Sequence, residues 1–193
     1  MFNDLSSPST LLATRRSGKP RDMVSPGPDD DQLRQILEAA MRVPDHGKLA
    51  PWRFVIIPAN RRPDFAELLL DAFRAEKPDA GAIELDPLRQ FAMQAPVMVA
   101  VISTPVIHPK IPAWEQQLSA GAVCMNLLTA THAAGFVGGW LTGWAAYNNR
   151  VVESLGGKTG DQIAGFLFLG SPSRDLEERP RPSYEAVVST WKG

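Results

Sequence analysis

The chain of 193 residues carries 20 lysines and arginines against 21 aspartates and glutamates, a formal net charge of −1, and 44% of its residues are hydrophobic. This length fits one globular domain, the near-zero charge excludes non-specific nucleic-acid binding, and no apolar run reaches the roughly 20 residues of a membrane helix. A single cysteine, Cys124, excludes an internal disulfide framework, and the first residues lack the order of a signal peptide, so a cytoplasmic protein is expected.

Helical and strand-like patterns alternate along the chain. Apolar residues at helical spacing predict helices over residues 7–16, 29–43, 64–77, 87–94, 114–134 and 148–155. Continuous apolar or β-branched runs predict strands over residues 52–57, 97–102 and 162–169, with a Gly-rich strand or turn at 136–140. This interleaving predicts one α+β or α/β domain over residues 1–193. Residues 170–193 form an extended tail, which is expected to dock on a second subunit.

Arg15, Arg16 and Ser17 stand together where the first helix is expected to end. Two guanidinium groups and a hydroxyl in one turn can surround a phosphate with charge-assisted hydrogen bonds. The same residues fit a solvated helix end, where cations complement the helix dipole. On these residues alone, the solvated helix end is the preferred interpretation.

A polar loop that includes Arg42, His46 and Lys48 begins where the second helix stops at Val43-Pro44, and it leads into a buried strand. Loops at strand ends commonly form small-molecule sites. His46 can bind a ligand, act as an acid, or do no more than pair with the neighbouring aspartate. The alternatives stay open at this point.

In the Gly-rich segment 135–143, the glycines let backbone amides approach a ligand and Trp140 offers a flat surface. The alternative is a Gly-rich strand that packs against a neighbouring backbone. The glycine spacing of the segment is not that of a dinucleotide fingerprint.

No metal site is predicted, because the three histidines lack the spacing of metal ligands. Cys124 is interpreted as an inert core residue and Glu115 as a favourable charge at the start of a helix.

Five stretches occur in a fixed order: residues 15–17, residues 41–46 followed by Pro51-Trp52, residues 112–116, Gly135-Phe136 leading to Trp140, and residues 165–170. No single stretch is specific, whereas the ordered set is. Together they resemble the FMN-dependent nitroreductase family, and in particular its short bacterial YdjA-like branch. The resemblance runs from about residue 11 to residue 169.

The resemblance implies a homodimeric α+β fold of three layers, in which helices flank a central, mostly antiparallel sheet and the C-terminal tail packs on the partner subunit. It also implies FMN at the subunit interface and NAD(P)H as co-substrate. The cofactor contacts that it implies are Arg15, Arg16 and Ser17 at the FMN phosphate, Arg42 and His46 at the flavin, and Trp140, Leu141 and Thr142 alongside it. Residues 130–135 match a segment associated with the nicotinamide cofactor.

The chain departs from the family pattern at three positions. Leu141 stands where the branch usually has arginine, which removes a cation near the flavin. Lys48 and Ala50 stand where many members have asparagine and glutamine before the Pro-Trp pair. Lys48 is included among the expected cofactor-binding residues, because a cation near the pyrimidine end of a flavin stabilises the anionic reduced form and raises its potential.

The expected function is ping-pong hydride transfer from NAD(P)H through FMN to an electron-poor acceptor such as a nitroaromatic or a quinone. No side chain is assigned as catalytic acid or base, since the flavin supplies the chemistry. Two alternatives stay open: a protein that binds FMN without nicotinamide turnover, and a specialised reductase of the dehalogenase or enoate type on the same scaffold. The sequence does not distinguish NADH from NADPH.

Overall fold

The structure is a computed structural model that describes residues 2–193. Within these residues, five strands form one sheet: β1 (Met23–Val24), β2 (Trp52–Ile56), β3 (Val97–Ser103), β4 (Val137–Leu141) and β5 (Gln162–Pro172). The long β5 pairs with β3, with β4 and, at its C-terminal end, with β1, while β2 extends the sheet beyond β3. All these pairings are antiparallel, which confirms the expected sheet.

The side chains of β3 and β5 alternate between two buried faces. One face carries Met98, Ala100, Ile102, Phe166 and Phe168. The opposite face carries Val99, Val101, Leu167 and Leu169. Because both faces are buried, the sequences of these strands are continuous apolar runs rather than alternating ones.

The helices are α1 (Pro8–Thr14), α2 (Asp30–Ala40), α3 (Arg62–Glu76), α4 (Ala82–Met93), α5 (Ala113–Ala133), α6 (Trp144–Tyr147), α7 (Asn149–Ser154) and α8 (Tyr184–Val187). Short 3-10 turns occupy Pro20–Asp22, His46–Lys48 and Ala59–Arg61. The helices α2 and α5 cover one face of the sheet, and α3, α4, α6 and α7 cover the other. The three-layer α+β class is therefore confirmed.

Capping residues decide where two helices begin. The Ser7 hydroxyl accepts a hydrogen bond from the Thr10 amide at 3.1 Å, and α1 starts at the next residue after Ser7, a proline. At α2, the Asp29 carboxylate accepts from the Gln32 amide at 2.8 Å, and the Gln32 side chain accepts from the Asp29 amide at 3.0 Å. This reciprocal capping box fixes the start that the three consecutive aspartates predict.

Three element boundaries differ from the sequence prediction by three or more residues, and one of them is the end of α2 at Ala40 rather than at Val43. The helix α4 begins at Ala82 rather than at Pro87, because the Glu84 carboxylate accepts from the Gly81 amide and caps a start one turn earlier. Residues 170–172 belong to β5 and not to the tail, since Ser171 and Pro172 pair with β1. The tail therefore starts at Ser173.

The first part of the tail binds the body of its own chain. The Ser173 amide and hydroxyl both donate to the Asp22 carbonyl, at 2.9 and 2.8 Å. The Arg174 guanidinium lies 2.7 Å from the Asp22 carboxylate. Beyond Ser183 every residue is exposed, including Trp191. Over residues 2–193, no helix is both long and apolar enough to cross a bilayer.

Candidate functional site

The turn that carries Arg15, Arg16 and Ser17 is held against strand β4. The Gly18 amide donates to the Gly138 carbonyl at 3.2 Å. A Cβ atom on Gly139 would lie 2.8 Å from the Gly18 carbonyl oxygen, so only glycine allows this approach of backbone to backbone. The turn after α1 is thereby fixed beside the end of β4.

This arrangement opens a cleft of about 720 Å³ that brings the two predicted groups together. Arg15, Arg16 and Ser17 line the cleft together with Trp140 and Leu141. The wall that contains the indole is rigid: Trp140 Nε1 donates to the Ala164 carbonyl at 3.0 Å and packs over Gly165. Thr142 is exposed beyond the end of β4 and is not among the lining residues.

Arg15 is a half-buried cation whose charge faces the cleft without a paired carboxylate among residues 2–193. Its Nη1 donates to the Ser17 hydroxyl at 3.1 Å. Burial, and then the positive charges of Arg16 and Arg181, lower the pKa of Arg15. A site that gathers like charges in this way favours an anion, since the anion offsets the repulsion between the cations.

Arg16 has a different environment, because it is buried beneath the tail. Its Nε and Nη2 donate to the Glu177 carbonyl at 3.0 and 2.7 Å, and Nε lies 3.1 Å from the Glu178 carboxylate. The same carboxylate lies 3.9 Å from Arg181 Nη1. Arg16 therefore holds the tail in place, and the tail carries Arg181 to the cleft.

Arg181 is a functional candidate that sequence reasoning missed. It lines the same cleft as Arg15 and Ser17, although it lies in the tail far along the chain. The one available signal was the Arg-Pro-Arg-Pro run at residues 179–182, in which proline excludes regular structure and leaves the cations on an extended segment.

Arg42, His46 and Lys48 form a second group, and all three are exposed. His46 Nδ1 lies 2.7 Å from the Glu115 carboxylate of α5, so His46 pairs with Glu115 and not with Asp45. The Asp45 carboxylate instead accepts from two later amides of its own loop. Glu115 is thus more than a charge at the start of a helix.

The two groups lie at different places along α5. The cleft reaches α5 at Met125 and Leu128, whereas His46 contacts it at Glu115. Ten residues separate Glu115 from Met125, which is about 15 Å along the helix axis. One chain therefore does not place His46 beside the cleft that Arg15 lines.

Two further residues with reactive side chains lie in the core. Cys124 is a free, buried thiol, and burial raises its pKa to about 12, as expected of an inert residue. His132 is also buried; its Nδ1 lies 3.3 Å from the Phe136 carbonyl, and its Nε2 has no hydrogen-bond partner in the described part of the chain. No group of three histidine, cysteine, aspartate or glutamate side chains among residues 2–193 is arranged to hold a metal ion.

His132 makes the stability of the fold depend on pH. Burial, and then the charge of Arg15, lower its pKa from 6.5 to about 4. Between these values the unfolded chain binds a proton that the folded chain does not, so stability falls as the pH drops from 6.5 to 4. We expect a loss of about 3 kcal/mol by pH 4 from this residue.

Urea unfolding of the wild type and of His132→Gln at pH 7 and pH 4.5 measures this contribution. The variant should lose distinctly less stability on acidification than the wild type does. Equal losses in the two proteins would contradict the role of His132.

Comparisons with known proteins give one consistent family. The model of the nitroreductase family matches residues 12–171. A protein of Escherichia coli K12 named "Putative NAD(P)H nitroreductase YdjA" is 37% identical over 162 residues, which cover 84% of this chain and 86% of that protein. A Haemophilus influenzae protein named in the same way, without the suffix YdjA, is 36% identical over 174 residues, which cover 89% of this chain and 92% of its own.

Solved structures agree with this match at the level of the fold. The nitroreductase-like family protein from Bacillus cereus superposes with a TM-score of 0.84 at 21% identity, covering 97% of both chains. The FMN and NADPH-dependent nitroreductase NfnB from a Sphingopyxis strain superposes with a TM-score of 0.74 at 20% identity, covering 97% of this chain and 99% of its own.

Proposed function

The chain belongs to the nitroreductase family, and on that premise we propose that it is an FMN-dependent oxidoreductase that NAD(P)H reduces and an electron-poor organic acceptor reoxidises. The observation that carries the proposal is a single cleft that cationic and polar residues line together with apolar ones, namely Arg15, Ser17 and Arg181 with Trp140 and Leu141. When bound, FMN supplies the transfer of hydride and electrons, and the protein supplies binding, orientation and exclusion of water.

The donor set of the cleft fits the phosphate of FMN. Arg15 and Arg181 supply guanidinium groups, and Ser17 supplies a hydroxyl. Planar guanidinium groups bind phosphate oxygens in pairs, and a phosphate carries nearly two negative charges at neutral pH. The Glu178 carboxylate lies 3.1 Å from Arg16 Nε and 3.9 Å from Arg181 Nη1, whereas Arg15 has no paired carboxylate among residues 2–193.

The apolar part of the cleft lining suits a flat, largely apolar ring. Trp140 and Leu141 end β4 with partly exposed apolar side chains. The hydrogen bond of Trp140 to Ala164 holds the indole in one orientation, so this surface needs no rearrangement before it binds a ligand. Leu141 carries no charge, and we assign the positive charges of Arg15 and Arg181 to the phosphate.

We include a homodimer in the proposal, in which a second copy of the chain completes the site. The helix α5 exposes Trp114, Leu118 and Met125 at spacings of four and seven residues, which places them on one apolar face. In the proposed dimer, a partner that packs on this face about a two-fold axis supplies its own His46 and Arg42 to the cleft of the first chain. The exposed Tyr184 and Trp191 of the tail give the partner further apolar surface to cover.

A cytoplasmic location fits this function, because NAD(P)H is available there. Residues 130–135, on which the resemblance places a nicotinamide contact, end α5 and lead into β4. The reductant and the acceptor would use one open site in turn, since the cleft is the shared entrance to the ring.

Steady-state kinetics test the proposed function. Initial rates are measured with NADPH and then NADH at several fixed concentrations of a quinone and of a nitroaromatic, such as nitrobenzoate. We expect parallel lines in double-reciprocal plots, because the two substrates share one site in turn. Intersecting lines would contradict the shared site. FMN binding without turnover of either nicotinamide would leave a flavin-binding protein and refute the oxidoreductase.

A further inference from the structure

One face of α5 holds the segment that leads from α2 to His46. Asn126 Nδ2 donates to the Ala39 carbonyl at 2.7 Å, and the Ser119 hydroxyl donates to the Pro44 carbonyl at 2.8 Å. Glu115 completes this row with its contact to His46 at 2.7 Å. Residues 115, 119 and 126 are four and seven positions apart, so they lie on one side of the helix.

Glu115 differs from the other two members of this row, because it binds a side chain and not a backbone carbonyl. Both partners are substantially exposed, at 62% for the His46 side chain and 44% for Glu115. Exposed pairs of this kind contribute little to stability. Ser119 and Asn126 already fix the segment through its backbone, so the contact of Glu115 determines mainly the state of the imidazole.

An ionised carboxylate accepts hydrogen bonds and cannot donate them. The 2.7 Å contact therefore requires a proton on His46 Nδ1, and it fixes the orientation of the ring. In the neutral ring, Nε2 is then a hydrogen-bond acceptor. His46 is exposed, and the one hydrogen bond of its ring among residues 2–193 uses Nδ1, so Nε2 is available to a ligand.

We propose that Glu115 is a positioning residue for the flavin site: it holds His46 as the Nδ1–H tautomer and so presents Nε2 as an acceptor to bound FMN. The proposal rests on the proposed function, in which His46 contacts FMN across the subunit interface. FMN carries N–H and O–H donors that need acceptors once they are removed from water. Glu115 satisfies this requirement without itself touching the cofactor.

The discriminating variant is Glu115→Gln. Glutamine keeps the length and the hydrogen-bonding capacity of the side chain, so any structural link between the loop and α5 is retained. Its amide can accept from Nδ1–H or donate to an unprotonated Nδ1, so it no longer dictates the tautomer. Gln117→Ala, on the same turn of α5, is the matched control.

Two measurements apply. Nitrogen-15 NMR of the apoprotein, at a pH where the ring is neutral, reports which His46 nitrogen carries the proton; His46→Ala assigns the signals. Fluorescence titration reports the Kd for FMN. In Glu115→Gln we expect a mixture of tautomers and an FMN Kd about fivefold higher. In a His46→Ala background, the same change should have no further effect on the Kd.

A Glu115→Gln protein with the wild-type tautomer and the wild-type Kd would overturn the proposal. An undiminished effect in the His46→Ala background would also overturn it, since Glu115 would then act by another route. Failure of the proposed function looks different: the wild type itself would bind no FMN.

Discussion

Replacing Arg15 by alanine should weaken FMN binding by roughly 100-fold, because a paired guanidinium contact with phosphate is worth about 3 kcal/mol. Arg15 faces the cleft, touches Ser17, and has no paired carboxylate in residues 2–193. Riboflavin lacks the phosphate, so its affinity should change by no more than about twofold. The comparison of the two ligands isolates the phosphate contact from general damage to the site.

Fluorescence titration with FMN and with riboflavin measures both constants. Arg34→Ala is the matched control, since Arg34 is an exposed arginine on α2 that pairs with Glu38 outside the cleft. It should leave both affinities unchanged. If Arg15→Ala weakened both ligands equally, Arg15 would support the site as a whole and the phosphate assignment would be wrong.

Replacing Arg62 by methionine should lower the free energy of unfolding by about 3–5 kcal/mol. The guanidinium is buried, and burial lowers its pKa to about 10, which leaves it charged at neutral pH. It donates to the carbonyls of Ile57, Ala92 and Gln94 at 2.8 to 3.1 Å, which joins the end of β2 to the end of α4. Methionine fills much of the space but removes the donor from all three carbonyls, two of which accept from Arg62 in buried contacts.

A buried cation also costs free energy, and one nitrogen of Arg62, Nη2, has no hydrogen-bond partner in the described residues. Removing that cost offsets part of the loss, but the carbonyls cannot move to other donors. Urea unfolding followed by tryptophan fluorescence measures the change. The neighbour Arg61, which forms an exposed pair with Asp64, is the control, and Arg61→Met should shift stability by no more than about 0.5 kcal/mol. Equal stabilities of the Arg61→Met and Arg62→Met proteins would contradict this account.

The elements with strong local patterns could be predicted from the sequence. The run at 97–102 corresponds to β3, and the long helix expected at 114–134 corresponds to α5. One error arose where a partner distant in the chain decides the boundary, and another where a local cap does. Residues 170–172 extend β5 only because Met23 and Val24 pair with them, and a two-residue strand has no periodicity of its own. Pro87 suggested a helix start, whereas the cap at Gly81 starts α4 earlier.

The candidate site could be predicted only in part, because residues distant in the chain form it. The residues alone favoured a solvated helix end for Arg15 and Arg16, and only the ordered set of motifs favoured a phosphate site. The contacts of Arg16 with the tail and of His46 with Glu115 join residues 161 and 69 positions apart. Local patterns carry no information on such distant pairs. Arg181 and Glu115 therefore entered the site only with the structure.

The most direct test of the oxidoreductase is the visible spectrum of the purified protein after addition of FMN, recorded under anaerobic conditions before and after NADPH or NADH is added. We predict a bound flavin whose yellow absorbance bleaches with at least one nicotinamide and returns when a quinone is added. A protein that binds no FMN, or whose bound FMN stays oxidised with both nicotinamides, would contradict the proposed function.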